Sequence, residues 1–249
     1  MQEWFETPAG QYLLAWEQQQ FDQAVADIFG YHALQLGLPA LDALASNRMP
    51  HRWLATTHAA PRSAAVLQTD FAALPFPEAS LDLVALPHTL DSHHDPHATL
   101  REVARVLLPG GRVVLCGFNP ASLWGLRQRF DLGKPLLPQQ LEFIGSRRLR
   151  DWLHLLDFEI EIGHYGCYRP LLGGETWLNR WSWMDRAGAR WWPFFGAVYF
   201  LVAVKRVYGM RLLEPAWKKV NAKSAATVPL VRRSGDNQAR MNMNKGSNE

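Results

Sequence analysis

The sequence predicts an α/β fold: a doubly wound, mostly parallel sheet with helices on both faces and a reversed last strand. Three observations carry that expectation. First, "ASLDLVALP" (79–87) and "RVVLCGF" (112–118) are short, nearly continuous apolar runs, the pattern of strands buried on both faces. Second, the stretch between them reads as a helix, because Asp95-Pro96 places a capping carboxylate and a first-turn proline ahead of "HATLREVARVLL" (97–108). "PGG" (109–111) then ends that helix, and a helix between two buried strands is the parallel crossover unit. Third, two late strand candidates, "EIEIGHYGCY" (159–168) and "GAVYFLVAVKR" (196–206), are joined by a long tryptophan-rich excursion, which suits an antiparallel edge.

The remaining elements follow in order. Between Gln11 and Phe29, the residues Leu13, Leu14, Trp16, Phe21, Val25, Ile28 and Phe29 recur at near-helical intervals, and Gly30 stands where a C-terminal cap belongs. "HALQLG" (32–37) reads as a strand and "PALDALASN" (39–47) as a short helix with Pro39 near its first turn. "HRWLATT" (51–57) and "AAVLQTD" (64–70) are strand candidates, and "SRRLRDWLHLLDF" (146–158) is a helix. No internal repeat is visible.

Composition sets the outer limits. A chain of 249 residues accommodates one large domain, expected over 1–213, followed by a tail over 214–249. That tail carries seven Lys or Arg against three acidic residues, a net of +4, which leaves −1 for the body within the total of +3. The basic balance therefore belongs to a polar, aperiodic tail that reads as disordered, and no specific nucleic-acid partner is expected of the body. Cys116 and Cys167 lie in apolar stretches, with neither a disulfide framework nor metal-ligand spacing, so a reducing, cytoplasmic setting is expected. "MQEWFETPAGQY" lacks the basic end and apolar run of a secretory signal. The apolar run from Trp191 to Val204 is shorter than the roughly twenty residues of a membrane span, so it is expected as a buried strand.

In a doubly wound sheet, ligands bind outside the carboxyl ends of the strands, where strand order reverses. The positions just past each strand are Gly37, then Thr56 and Thr57, Asp70 and Phe71, Pro87 and His88, and Phe118 and Asn119.

Within that frame, "LQTDFAALPFPEASLDLVALPHTLDSHHDPHATLREVARVLLPGGRVVLCGFNP" (67–120) resembles the central block of class I S-adenosylmethionine-dependent methyltransferases, in particular the type 11 domain. The block shares an acidic residue after the third strand, "LPFP", a strand like "FDLV", a turn like "HVLEHVPDP" and the run "LREVARVLKPGG". The resemblance implies S-adenosylmethionine as cofactor and methyl transfer to a small-molecule acceptor. It places Asp70 where a carboxylate accepts from the adenine amino group, Phe71 where backbone meets the ring edge, and Pro87 and His88 beside the methyl-transfer region. His88 is the catalytic candidate, since a neutral imidazole can take a proton near pH 7.

The first loop departs from that family. Laid on "LDLGCGTG", the stretch "LQLGLPAL" keeps Leu34, Leu36 and Gly37, but Gln35 replaces the carboxylate, Pro39 the second glycine and Leu41 the third. No Asp or Glu occurs between Asp42 and Asp70, so a ribose-binding carboxylate is missing and Thr56 or Thr57 stands in its place. Only six residues, His58 to Ser63, separate two strand candidates whose crossover normally needs about a dozen or more. Three readings stay open. The cofactor is held through Thr56, Thr57 or Gln35; or a methyltransferase-like fold persists as a binding or regulatory module; or Arg48, Arg52 and Arg62 accommodate a phosphorylated nucleotide.

Two further groups invite chemistry. The run "HTLDSHHDPH" (88–97) offers His88, Asp91, His93, His94, Asp95 and His97, but in no recognisable metal-ligand spacing, so solvated loop histidines and no metal are expected. The excursion holds Trp177, Trp181, Trp183, Trp191 and Trp192, and Trp177 with Trp181 at i, i+4 is expected to pack a helix onto the sheet. Acceptor atom and oligomeric state are not encoded in any motif.

Overall fold

A computed structural model of the chain describes residues 2–57, 66–130, 137, 141–170 and 175–206. They lie in one compact unit, Met1–Tyr208. The basic tail expected over 214–249, and Arg62 with the rest of the short crossover, lie outside the described residues.

Seven strands form a single sheet: β1 (His32–Leu36), β2 (His51–Thr56), β3 (Val66–Gln68), β4 (Leu81–Pro87), β5 (Leu107–Phe118), β6 (Phe158–Gly166) and β7 (Val198–Lys205). Their order is β3-β2-β1-β4-β5-β7-β6. β1 through β5 pair in parallel, and β7 runs antiparallel to both β5 and β6, so the expected fold class and its reversed last strand are present. β1 and β4 are neighbours, and strand order reverses between them.

Alternation along the strands divides the core in two. Ala33, Leu83, Ala85, Val114, Cys116, Phe200 and Val202 face α1 (Gln2–Phe5) and α2 (Pro8–Val25) through Phe5, Leu13, Phe21 and Val25. Leu34, Leu36, Val84, Leu86, Val113, Leu115 and Leu201 face the opposite side. There they meet Leu90 of α3 (Thr89–Ser92), Leu100 and Val103 of α4 (Pro96–Val106), and Leu149 and Leu153 of α6 (Ser146–Leu155). Adjacent residues thus bury opposite faces, as period-two strands covered on both sides require. α4 starts where the sequence places it: the Asp95 carboxylate accepts from the Ala98 amide at 2.9 Å.

Three expectations change. The leading helix covers Pro8–Val25, with the Thr7 hydroxyl accepting from the Gly10 amide, and stops before Gly30. Gly30 packs against Asp82, which leaves no room for a β-carbon, and Phe29 is exposed. The Asp82 carboxylate accepts from the amides of Tyr31 and His32, which ends the helix-to-strand link. "PGG" does not precede β5 but lies within it, with Gly110 in the left-handed region at φ +82°. The helix expected over 39–47 is absent, its place taken by turns, for a reason that belongs to the site.

Candidate functional site

The first strand ends in two consecutive left-handed residues, Gly37 at φ +75° and Leu38 at φ +42°. A β-carbon at Gly37 would meet Thr89 Oγ1 at an ordinary 3.4 Å, so it is the left-handed conformation that favours glycine. Gln35 shapes the loop that follows. Its buried Nε2 donates toward the carbonyls of Gly37 (3.2 Å), Leu38 (3.1 Å) and Leu41 (2.7 Å), while its Oε1 accepts from the Ala43 amide at 2.9 Å. A carboxylate could not donate to those carbonyls. Gln35 is thus an internal brace, and the direct cofactor contact expected of it is corrected, because its amide is spent on the loop.

The brace also explains the missing helix. In a helix the Leu41 carbonyl would pair with the Ala45 amide and the Ala43 amide with the Pro39 carbonyl, whereas here Gln35 bonds both. The turns close instead from Leu41 to Leu38, Ala45 to Asp42 and Asn47 to Leu44. Asp42 accepts from the Leu44 amide and Asn47 from that of Met49, local bonds that compete with helix. Arg52 Nη1 donates to the carbonyls of Leu44 (3.0 Å) and Asn47 (3.3 Å), so one of the three arginines considered for a phosphate serves this turn.

At the ends of β2 and β3, Thr56 is buried and Thr57 exposed, and the Thr56 carbonyl accepts from the Thr69 amide at 3.0 Å. Asp70 caps its own turn through Oδ1 and the Ala72 amide at 2.9 Å, yet its side chain is 66% exposed. His93 Nε2 stands 3.6 Å from that same oxygen. The buried Phe71 ring lies beneath Gly37, its Cε2 3.8 Å from where a β-carbon there would sit, and it stacks on His93 at 5.4 Å. Gly37, Asp70 and Phe71 are therefore brought together, with His93 as an addition.

His88 has a different environment from the one expected. It follows Pro87 at the end of β4, in the left-handed region at φ +50° and fully buried. Nε2 meets Glu17 Oε1 at 2.6 Å and Nδ1 meets Asp91 Oδ2 at 3.0 Å. Phe118 stacks at 4.2 Å between ring centroids. Burial alone would lower the basicity of the ring, but the charge of Glu17 and the hydrogen bonds to Asp91 and Glu17 outweigh it and hold the imidazolium up at about 10. A ring with both nitrogens engaged and no exposed surface is not placed to take a proton from an acceptor. The catalytic role expected of His88 is corrected to that of a buried cation that ties together α2, β4 and β5. Asp91 completes the tie: its Oδ2 also accepts from the Phe118 amide at 2.8 Å.

Sequence reasoning missed Glu17 and Thr89, and weighed Asp91 only as a metal ligand. Glu17 left a signal, since Leu13, Glu17, Phe21 and Val25 recur every four residues, which puts a carboxylate on the buried stripe of α2. Thr89 Oγ1 donates to the Leu36 carbonyl at 2.5 Å, a bond that spans the point where strand order reverses. Glu17, His88 and Cys116 bring ligand atoms within 4.8 Å of one another, but the 2.6 Å hydrogen bond already pairs the Glu17 and His88 atoms. Of the other histidines, His97 packs tilted against Trp152, with ring centroids 3.7 Å apart. A cleft of about 330 Å³ opens between the N-terminal helices and the braced loop, lined by Phe5, Gln11, Leu14, Gln18, Ala40 and Leu41.

Comparison with known proteins agrees with this architecture. Residues 39–115 match the family model described as a methyltransferase domain. The chain is 32% identical over 158 residues to the uncharacterized protein YafS of Escherichia coli strain K12, covering 63% of this chain and 65% of that protein. It is 33% identical over 81 residues to the demethylmenaquinone methyltransferase of Clavibacter sepedonicus, 32% of this chain and 33% of that protein. The chain thus spans under two thirds of either relative. Among solved structures, a chain of the Haloferax volcanii complex containing the Trm112 methyltransferase activator superposes with a TM-score of 0.60 at 17% identity, over 84% of this chain and 96% of that one. A SAM-dependent methyltransferase from Archaeoglobus fulgidus gives 0.54 at 16% identity, over 77% and 94%. The protein therefore has the fold of class I methyltransferases, and its residues 39–115 match the model of a methyltransferase domain.

Proposed function

We propose that the protein is an S-adenosylmethionine-dependent methyltransferase acting on a small-molecule acceptor in the cytoplasm. The observation that carries this reading is the Gln35 brace. The glycine signature of the first loop is gone, but a buried side chain replaces it and fixes the loop's path beside Gly37. One side-chain amide thus holds loop carbonyls through its N–H groups and the Ala43 amide through its oxygen.

The residues fit the cofactor in part. Asp70 has an exposed carboxylate beside the glycine turn, suited to an adenine amino group, with the Phe71 backbone next to it. Thr56 and Thr57 end β2 where ribose hydroxyls would lie, and Gly37 and Pro87 line the two sides of the reversal point. When bound, the cofactor supplies a methyl group on a sulfonium centre. The chain then has to hold an acceptor in line with it, a task of positioning that needs no buried base. The test is calorimetric titration with S-adenosylmethionine and S-adenosylhomocysteine, where micromolar binding lost in Asp70→Ala supports the site.

One observation favours a second reading, a binding or regulatory module without cofactor. The segment 39–47 that follows the glycine turn forms turns and not a helix, so it offers no helix dipole of its own to the ligand. Binding of neither ligand would select that reading.

A further inference from the structure

The sequence sets five tryptophans in the excursion before β7, and the structure does not bury them in the core. α7 (Glu175–Arg180) and α8 (Trp183–Trp191) lead into a 3-10 turn, Pro193–Phe195. From Arg190 to Phe195 every residue is exposed, with Trp191 at 70% and Phe194 at 68%. Trp177 and Trp183 are exposed as well. Isolated exposed hydrophobics are ordinary, but a run of four aromatics around one proline is not.

The backbone beneath the run is held firmly. Asn119 Nδ2 donates to the carbonyls of Phe194 (2.8 Å) and Gly196 (2.9 Å), and Tyr168 Oη donates to that of Pro193 (2.8 Å). On the inner side of α8, Gly188 lies against the Tyr168 ring with no room for a β-carbon. Asp185 is bound by Arg169 at 2.7 Å and by the Tyr12 hydroxyl. The aromatic side chains thus point outward from a fixed scaffold. Asn119 lies just after β5 and ahead of α5 (Leu123–Arg129), and Leu123 and the following Phe130 are also exposed.

Charge identifies the partner. Exposed Arg129, Arg180, Arg186 and Arg190 accompany the aromatics, and of the two acids in 175–195, Asp185 is already paired to Arg169. Tryptophan and phenylalanine beside arginine is the composition that settles at a lipid headgroup boundary and is drawn to anionic lipid. We infer that Trp191, Trp192, Phe194 and Phe195, flanked by Arg186 and Arg190, dock the protein on an anionic lipid bilayer. The surface lies by the carboxyl end of β5, on the acceptor side of the sheet. Resting on the methyl-transfer reading, this makes the acceptor a lipid-soluble molecule taken from that bilayer.

The experiment is co-sedimentation of the full chain with phosphatidylglycerol-containing vesicles and with phosphatidylcholine vesicles, alongside its molar mass by light scattering. The inference expects binding to the anionic vesicles that weakens with salt. It expects a loss of about tenfold or more in a Trp191→Ser, Phe194→Ser variant and a partial loss in Arg186→Gln, Arg190→Gln. Both variants should keep the wild-type thermal midpoint; if the first does not, the single change Trp191→Ser replaces it. Absent vesicle binding, or binding unchanged in every variant, would overturn the inference. So would a dimer that the serine variant splits, since the run would then cover a second copy. Titration of the same variants with S-adenosylmethionine keeps the readings apart: vesicle binding without cofactor binding leaves the docking surface standing and removes only the methyl-transfer role.

Discussion

Glu17 and His88, 71 positions apart, meet at 2.6 Å with both side chains entirely buried. The contact ties α2 to the end of β4 and, through Asp91, to β5, so the N-terminal helix is fastened at the carboxyl edge of the sheet where a ligand would bind. Removing one partner strands a buried charge, a change that typically costs about 3–5 kcal/mol. Glu17→Ala should therefore lose stability of that order in urea unfolding. Glu17→Leu combined with His88→Phe should cost less than the sum of the two single changes, because Glu17 and His88 no longer strand each other, while Asp91 still loses its His88 partner.

The same contact sets a pH dependence. In the unfolded chain His88 titrates near 6.5, and in the folded protein near 10. Its contribution is complete below about pH 6.5 and is lost as pH rises toward 10, since the unfolded chain releases its proton first. The Asp91 carboxyl, raised by burial, acts in the same direction. Urea midpoints should fall between neutral and alkaline pH, with a shallower fall in His88→Gln.

Gln35 makes a separate prediction about the loop. Gln35→Leu leaves three carbonyls and one amide without their side-chain partner, and at about 1 kcal/mol per bond with further penalties for buried groups it should cost roughly 2–4 kcal/mol. Gln35→Glu should fare little better, because the new carboxylate faces carbonyl oxygens. Both variants should weaken cofactor binding, read by titration, since the path after Gly37 is lost.

On the ribose side, Thr56→Ala with Thr57→Ala should weaken S-adenosylmethionine binding without abolishing it. Two hydroxyl hydrogen bonds at about 0.5–1.5 kcal/mol each correspond to a drop of several-fold up to roughly a hundredfold. An unchanged affinity would move the ribose away from β2.

Strands β1, β2, β4, β5 and β7 were legible because each is a short apolar run between clear stops, and the Asp95 cap was legible because a carboxylate followed by proline has one common use. The helix expected over 39–47 was not, since Gln35 overrides local propensity from outside the segment. His88 was read as a catalytic base beside the methyl-transfer region because the partner that buries it, Glu17, lies on a distant helix. The interior carboxylate was visible in the spacing Leu13, Glu17, Phe21, but nothing local said what it would meet. The aromatic excursion misled in the opposite sense: tryptophan composition suggests core, and only the backbone ties of Asn119 and Tyr168 turn the side chains outward.

The braced loop and Asp70 together are the proposed cofactor site. Titration of wild type and Asp70→Ala with S-adenosylmethionine tests it most directly. Micromolar binding to the wild type and a loss of about tenfold or more in the variant are expected, since the adenine amino group would lose a charged acceptor. Equal affinity in both proteins, or no binding to either, would contradict it.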